Sequence, residues 1–286
     1  MTPQEWLKKG DFFNYKNHQI FFRESGKGEI LLLIHGFPTA SWDWEKIWDQ
    51  LREKFHLIAP DMIGFGFSDK PKDYHYSIHD QADLHDQLLK SKGIKSVHIL
   101  AHDYGNSVAQ EMTGRYLEGK TDYEIKSIIY LNGGLFAEMH RPKLIQKLLI
   151  SPIGRFLHPL LGKETLKRNF DSIFGDKKAS EEEIEHFWQL VTHKGGKKIF
   201  YKLIRYMSDR RQHRDRWVNS LINANFPIRL IDGPEDPVSG RHLAEYYLKQ
   251  IPNPDVIILE GVGHYPQTED PDGVMKYAFE FWEKIK

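Results

Sequence analysis

Residues 96–105 read Ser96-Val97-His98-Ile99-Leu100-Ala101-His102-Asp103-Tyr104-Gly105. Val97, Ile99 and Leu100 form a short apolar run, the pattern of a strand buried on both faces. Val108, Ala109, Met112 and Tyr116 then recur at helical spacing, so a helix is expected to begin at once. A strand that passes directly into a helix must turn sharply, and small residues two positions before and after the apex relieve the crowding. Ala101 and Gly105 hold those positions, with Asp103 at the apex. The pattern is that of a nucleophile elbow, with Ala for the first Gly and Asp for Ser. Such an apex side chain projects at the carboxyl end of the sheet and at a helix N-terminus, where peptide dipoles favour an anion. An Asp at a strand–helix junction is also an ordinary N-cap, so the stretch takes its meaning from partners elsewhere.

The chain of 286 residues suffices for one large domain with an inserted lobe. Forty Lys and Arg balance forty Asp and Glu, so no net field attracts nucleic acid or anionic lipid. The absence of cysteine excludes a disulfide scaffold, a thiol nucleophile and a Cys-ligated metal, and fits a reducing compartment. The stretch MTPQEWLKKGDFF holds no apolar run of signal-peptide length, and no segment approaches the roughly 20 apolar residues that span a bilayer. A cytoplasmic protein without a membrane span is the expectation.

Residues Phe12–Tyr15 and Gln19–Glu24 flank Lys16-Asn17-His18 and suggest an antiparallel hairpin. Buried strands are expected at Ile30–Ile34, Leu57–Ala59, Ile125–Leu131, Ile228–Ile231 and Val256–Leu259. Helices are expected after residue 41, over Ser77–Lys92 and Ser239–Gln250, and from Pro271 to Lys286. The Trp42, Trp44 and Trp48 spacing is that of a core-facing helix. Gly64-Phe65-Gly66 lacks the ending of a phosphate loop. From about Phe136 to Ala224 the alternation stops, and helical patches at Pro142–Ile150, Ser180–Thr192 and Gly196–Asn223 suggest an all-helical insertion. The division is therefore a core of residues 1–135 and 225–286 with a helical lid at 136–224. The alternation argues for an α/β fold with a mostly parallel, doubly wound sheet, whose ligands sit at the carboxyl ends of the strands. Four strand ends carry unusual polar text: His35–Pro38, His102–Tyr104, Glu235-Asp236 and His264. All four belong on one rim.

The order Asp103, Asp236, His264 is the nucleophile–acid–histidine order of α/β-hydrolases, and the chain resembles that fold over essentially its whole length. The HDYG elbow, HGFPTASWDW, DMIGFGFSDKP and GHYPQTEDP resemble the haloalkane dehalogenase and epoxide hydrolase branch. The resemblance implies a carboxylate nucleophile, Asp103, that forms an alkyl ester with a small apolar electrophile. His264 would activate water to hydrolyse that ester, and Asp236 would orient the imidazole. The backbone N–H groups of Phe37 and Tyr104 would form the oxyanion hole. No cofactor is implied. Asn132 stands at a second possible acid position and cannot carry the charge, while Asp232, Glu235 and Glu138 read as structural.

Dehalogenases of this type grip halide with a Trp after the nucleophile and often an Asn in the HGNP loop; here those positions hold Tyr104 and Phe37. Epoxide hydrolases use lid tyrosines as ring-opening acids. Tyr206, and with less weight Tyr201, lie where one is expected, although the lid has no tyrosine between Phe136 and Phe200. Trp188 and His35 complete the substrate-binding candidates. Epoxide hydrolysis is the leading expectation, haloalkane dehalogenation the alternative, and a binding or signalling protein with little turnover the reading from another class. The run Arg210–Arg216 interleaves with Asp209 and Asp215 and reads as a solvated face rather than a nucleic-acid patch. His35, His98 and His102 lack metal-ligand spacing.

Overall fold

A computed structural model of the chain describes residues 1–157, 159 and 161–285. In chain order, α1 (Pro3–Lys8) leads to the hairpin of β1 (Asp11–Tyr15) and β2 (His18–Ser25). β3 (Ile30–Ile34), a 3-10 turn at Ser41–Trp44, α2 (Glu45–Arg52) and β4 (His56–Pro60) follow. Next come α3 (Ile78–Ser91), β5 (Ser96–Ala101), α4 (Tyr104–Leu117) and β6 (Glu124–Tyr130). The segment after β6 is helical wherever it is regular. It holds α5 (Leu144–Ile150), α6 (Lys163–Asp171), α7 (Glu181–Thr192), α8 (Phe200–Leu203), α9 (Tyr206–Gln212) and α10 (Arg214–Ile222). β7 (Ile228–Asp232), α11 (Arg241–Gln250), β8 (Val256–Ile258), α12 (Pro266–Glu269) and α13 (Pro271–Lys284) complete the chain. None of the described helices is long and apolar enough to cross a membrane.

The eight strands form one sheet in the order β1-β2-β4-β3-β5-β6-β7-β8. β2 is antiparallel to β1 and β4, and every pairing beyond β4 is parallel. Side chains alternate between faces along each strand, which splits the apolar runs into two cores. Leu32, Ile34, Ile99, Ile128 and Leu230 pack on one face with Leu84, Leu88 and Val108 of α3 and α4. Leu31, Leu33, Leu100, Ile129 and Ile231 pack on the other with Ile47, Trp48, Phe281 and Trp282 of α2 and α13. Burial on both faces is why these strands read as continuous apolar runs.

The parallel register sets up the site. Ala101 pairs with Ile34 on one side and Tyr130 on the other, and Tyr130 pairs with Leu230. The row Ile34–Ala101–Tyr130–Leu230 is therefore level, and the residues that follow each strand emerge on one rim.

Three features depart from the sequence reading. α1 and α6 form without having been expected; α6 has only Leu166 and Phe170 as buried anchors, too few to mark a stripe. The stretch Gly196–Asn223 is three short helices rather than one long one. His213, at φ −107° and ψ 17°, both ends α9 and begins α10. The last helix ends at Lys284, and Lys286 lies outside the described residues.

The helical segment is fastened to the core by charge. Glu111 of α4 is 2% exposed and accepts from Arg216 Nε at 2.8 Å, Trp217 Nε1 at 2.9 Å and Arg115 Nε at 2.9 Å. Without Glu111, Arg216 keeps Glu118 and Arg115 keeps Asp83 and Asp86, but the buried Trp217 indole N–H loses its partner. Glu111→Ala is expected to lower the unfolding free energy by about 2 kcal/mol in urea titrations. A loss below about 1 kcal/mol, the range of exposed pairs, would show that α10 docks without this anchor.

Candidate active site

β5 ends at Ala101 and α4 begins at Tyr104, so His102 and Asp103 make the whole turn. Asp103 sits at φ 46° and ψ −105°, a conformation that L residues avoid and that surrounding structure must impose. Gly105 permits the turn: a Cβ there would lie 2.3 Å from the Ile34 carbonyl oxygen. Asp103 makes no side-chain bond to its own helix. Instead Oδ2 accepts from the Phe37 N–H at 3.0 Å. The geometry is thus not that of an N-cap.

Oδ1 of Asp103 lies 4.0 Å from Nε2 of His264, and Nδ1 of His264 donates to Oδ2 of Asp236 at 2.7 Å. Asp236 is held in turn by the N–H groups of Val238 at 2.8 Å and Ser239 at 3.0 Å and by the Ser239 hydroxyl at 2.6 Å. Burial pushes the Asp236 carboxyl up, but the His264 charge and these hydrogen bonds outweigh it and hold the group at about 2. Burial alone would push His264 down. The charge and hydrogen bond of Asp236, with the charge of Asp103, raise it instead to about 9. Asp103, which burial would also raise, stays below the usual carboxylate range because His264, Arg210, His102 and the Phe37 N–H face it.

These groups open onto a cleft that reaches solvent. Asp103 and His264 lie at its base with Phe37, and α5–α8 supply walls that include Leu149, Leu166, Phe170, Trp188 and Phe200. Among the described residues no cluster of three His, Asp or Glu could hold a metal.

The structure brings Asp103, Asp236, His264 and Phe37 together, and it places Tyr104 at the first position of α4, where a helix N–H has no carbonyl of its own turn. Trp188 lines the cleft. Three candidates fall elsewhere. His35 is fully buried; its Nδ1 donates to the Gly36 carbonyl at 2.8 Å and its Nε2 accepts from the Met62 N–H at 3.0 Å. Both ring nitrogens are spent on fixing the loop, and burial holds it neutral with a value near 3. Tyr201 is not among the cleft-lining residues: it follows the cleft-lining Phe200 on α8, and consecutive helix positions do not share a face. Tyr206 is 2% exposed and lies a layer behind the wall, its ring 6.0 Å from that of Phe37 and 5.1 Å from that of Tyr104. It reaches the cleft through Gln146, whose Nε2 donates to the Tyr206 hydroxyl at 3.4 Å.

Sequence reasoning missed three residues. Asn132 donates to the Gly233 carbonyl and accepts from the Gly233 N–H, and its Nδ2 is 3.4 Å from Asp236. Glu269 accepts from the N–H groups of Gly175, Gly263 and Tyr265, fixing the His264 loop to the helical segment. Arg210, expected on a solvated face, is 2% exposed beside Asp103; Arg214 does face outward, on Glu138, while Arg216 bridges the buried Glu111 and the exposed Glu118. The glycine pair Gly133-Gly134 was the available signal, since a close approach of something large is one reason for two glycines at a strand end.

The Alpha/beta hydrolase family matches residues 31–276. The chain is 41% identical to the mesoderm-specific transcript homolog protein of Homo sapiens, over 94% of this chain and 84% of that one. It is 31% identical to the putative hydrolase LipZ of Mycobacterium tuberculosis, over 97% of this chain and 96% of that one. Among solved structures it is similar to the haloalkane dehalogenase DbeA from Bradyrhizobium elkani, with a TM-score of 0.81, 23% identity and coverage of 96% and 98%. At that identity the likeness concerns the fold.

The His264 geometry has a consequence for stability. A free imidazole titrates near 6.5, and this one is raised to about 9, so its protonated form adds stability that is fully present below about pH 6.5 and is lost as pH rises through about 9. The melting temperature of the unaltered protein is expected to fall more steeply between about pH 7 and about pH 10 than that of His264→Ala, by scanning fluorimetry. Parallel curves would mean that the fold gains nothing from the charged imidazole.

Proposed function

Because the chain belongs to the alpha/beta hydrolase family, we propose that it is a hydrolase whose nucleophile is the Asp103 carboxylate, acting through a covalent ester. The observation that carries this reading is the Asp103 Oδ1 itself: it accepts no hydrogen bond among the described residues and faces the His264 imidazole across an apolar cleft. A carboxylate attacks an sp³ carbon bearing a leaving group, and an apolar cleft selects a small or medium apolar molecule. Oδ1 forms the new C–O bond while the bond to the leaving group breaks. His264, oriented by Asp236, then takes a proton from water, and the resulting hydroxide adds to Cγ of the ester. The Phe37 and Tyr104 N–H groups stabilise the negative oxygen, the Cγ–Oδ1 bond breaks, and the imidazolium returns its proton to the departing alkoxide. The helical segment 136–224 serves as the lid, with α5–α8 shaping the substrate's surroundings.

The leaving group in this reading is the ring oxygen of an epoxide, and the product is a diol. The support is the absence of halide donors at Phe37 and Tyr104. The ring oxygen takes its proton from the His264 imidazolium, which this leaves as the neutral base of the second half. Haloalkane dehalogenation is the second reading, favoured by the Trp188 indole on the cleft wall.

Two experiments test this. His264→Ala exposed to styrene oxide and to bromohexane is expected to gain a covalent adduct by intact-protein mass spectrometry, abolished by Asp103→Ala. The unaltered protein is expected to yield diol faster than it releases halide. Faster halide release would reverse the ranking, and no adduct with any electrophile would favour the binding reading.

A further inference from the structure

Arg210 lies on α9 at the side of the elbow. Its Nε donates to the Ser107 hydroxyl at 2.7 Å, and its Nη2 donates to the main-chain carbonyl of Asp103 at 2.9 Å. The same Nη2 is 3.7 Å from Oδ1 of Asp103, close enough for charge and too far for a hydrogen bond. The Tyr206 ring stacks under the guanidinium at 4.5 Å. Gly134 makes the room: a Cβ there would lie 2.3 Å from Nη1. Nη1 itself is buried without a hydrogen-bond partner among the described residues, as are both ring nitrogens of His140 nearby.

A buried Arg beside a buried Asp commonly forms a two-pronged bond with the carboxylate. Here the guanidinium grips the elbow backbone instead. The attacking oxygen keeps its lone pairs, while the positive charge stays within reach.

The charge count around the site follows. The ionised groups are Asp103, Asp236, His264 and Arg210. Burial pushes the other titratable groups facing them toward their neutral forms: His102 to about 4, His140 to about 3, Tyr206 and Glu269 upward, and Asp232 and Asp43 well above the carboxylate range. Around Oδ1, two anions thus meet two cations. When Oδ1 alkylates, Asp103 becomes a neutral ester and its negative charge passes to the opened ring oxygen. That oxygen takes a proton, and because a guanidinium does not give one up in proteins, the His264 imidazolium supplies it and becomes neutral.

We propose that Arg210 is a positioning residue for both halves of the reaction: its charge keeps Asp103 ionised before attack, and the same charge makes the His264 imidazolium the group that yields its proton to the opened ring oxygen, which leaves the neutral base that hydrolysis requires. The inference rests on the Asp103 reading above and deepens it. Without Arg210 the free site holds two anions and one cation, which favours protonated Asp103. The ester form then holds Asp236 and a protonated His264 in balance, and the imidazole stays unable to accept a proton from water.

The test uses styrene oxide as the probe and intact-protein mass spectrometry as the readout. Arg210→Met, with His264 intact, is expected to form the Asp103 adduct and retain it at neutral pH, with clearance slowed by at least about tenfold. Clearance is expected to recover when the pH is raised by about one to two units. Arg210→Lys, which keeps the charge, is expected to clear near the normal pH. Gly134→Ala, which displaces the guanidinium without altering any charge, is expected to behave like Arg210→Met. If Arg210→Met forms and clears the adduct with the pH dependence of the unaltered protein, this inference fails while the Asp103 reading stands. If His264→Ala forms no adduct either, the Asp103 reading fails, and Arg210 is judged on stability alone. There, Asp103→Asn is expected to recover most of the melting temperature lost in Arg210→Met, because it removes the unbalanced anion. Simple additivity of the two losses would overturn the counter-charge role.

Discussion

A carboxylate that stays ionised inside an apolar cleft constrains everything around it. Left alone, such a group would neutralise, because a low-dielectric site disfavours the charged form. Asp103 is surrounded by what offsets that cost. The Phe37 N–H binds one oxygen, α4 begins at the next residue, and His264 and Arg210 bring positive charge to the other oxygen. The first three follow from the parallel sheet, whose level strand ends deliver the β3 loop, the elbow and the last loop to one rim. The fourth comes from the helical segment, which is therefore part of the electrostatics as well as of the walls.

Holding the elbow in its strained conformation requires support from behind. The Asp103 N–H donates to the Asn132 carbonyl, and Asn132 binds both the N–H and the carbonyl of Gly233, so the ends of β5, β6 and β7 are joined in series. His264 is fixed likewise: its N–H donates to the Ile173 carbonyl, its carbonyl accepts from His102, and Glu269 gathers three N–H groups around it. The 4.0 Å gap between Asp103 and His264 is thus set by backbone bonds on both sides rather than by the two side chains themselves.

What was legible in the sequence follows from the same physics. Strands buried on both faces read as continuous apolar runs, and parallel order sends their carboxyl ends to one rim. Asp103, Asp236 and His264 could therefore be assembled from text without any measured distance. Residues whose role depends on packing between non-periodic elements could not. Arg210 sits among alternating charges, and its burial depends on α9 being a separate helix that turns inward at His213, a break that no proline or glycine marks. Tyr206 had the right residue type at about the right place, but a layer of Phe37 and Gln146 separates it from the cleft. His35 was misjudged because a loop histidine in a functional rim looks the same whether its ring serves substrate or the loop.

The position of α9 bears on how substrate and chemistry are divided in this fold. Tyr206 and Arg210 are four residues apart, so both project from one face of the helix, and each packs on the elbow side rather than toward solvent. The residues that shape the cleft come from other elements: Gln146 and Leu149 from α5, Leu166 and Phe170 from α6, Trp188 from α7 and Phe200 from α8. Changes in those walls alter the room offered to a ligand while leaving the charges around Asp103 intact. A change in α9 alters the charge balance even where the cleft keeps its shape. The helical segment therefore contains two layers. The outer one lines the cleft, and the inner one completes an ionic site whose other members are fixed by the sheet.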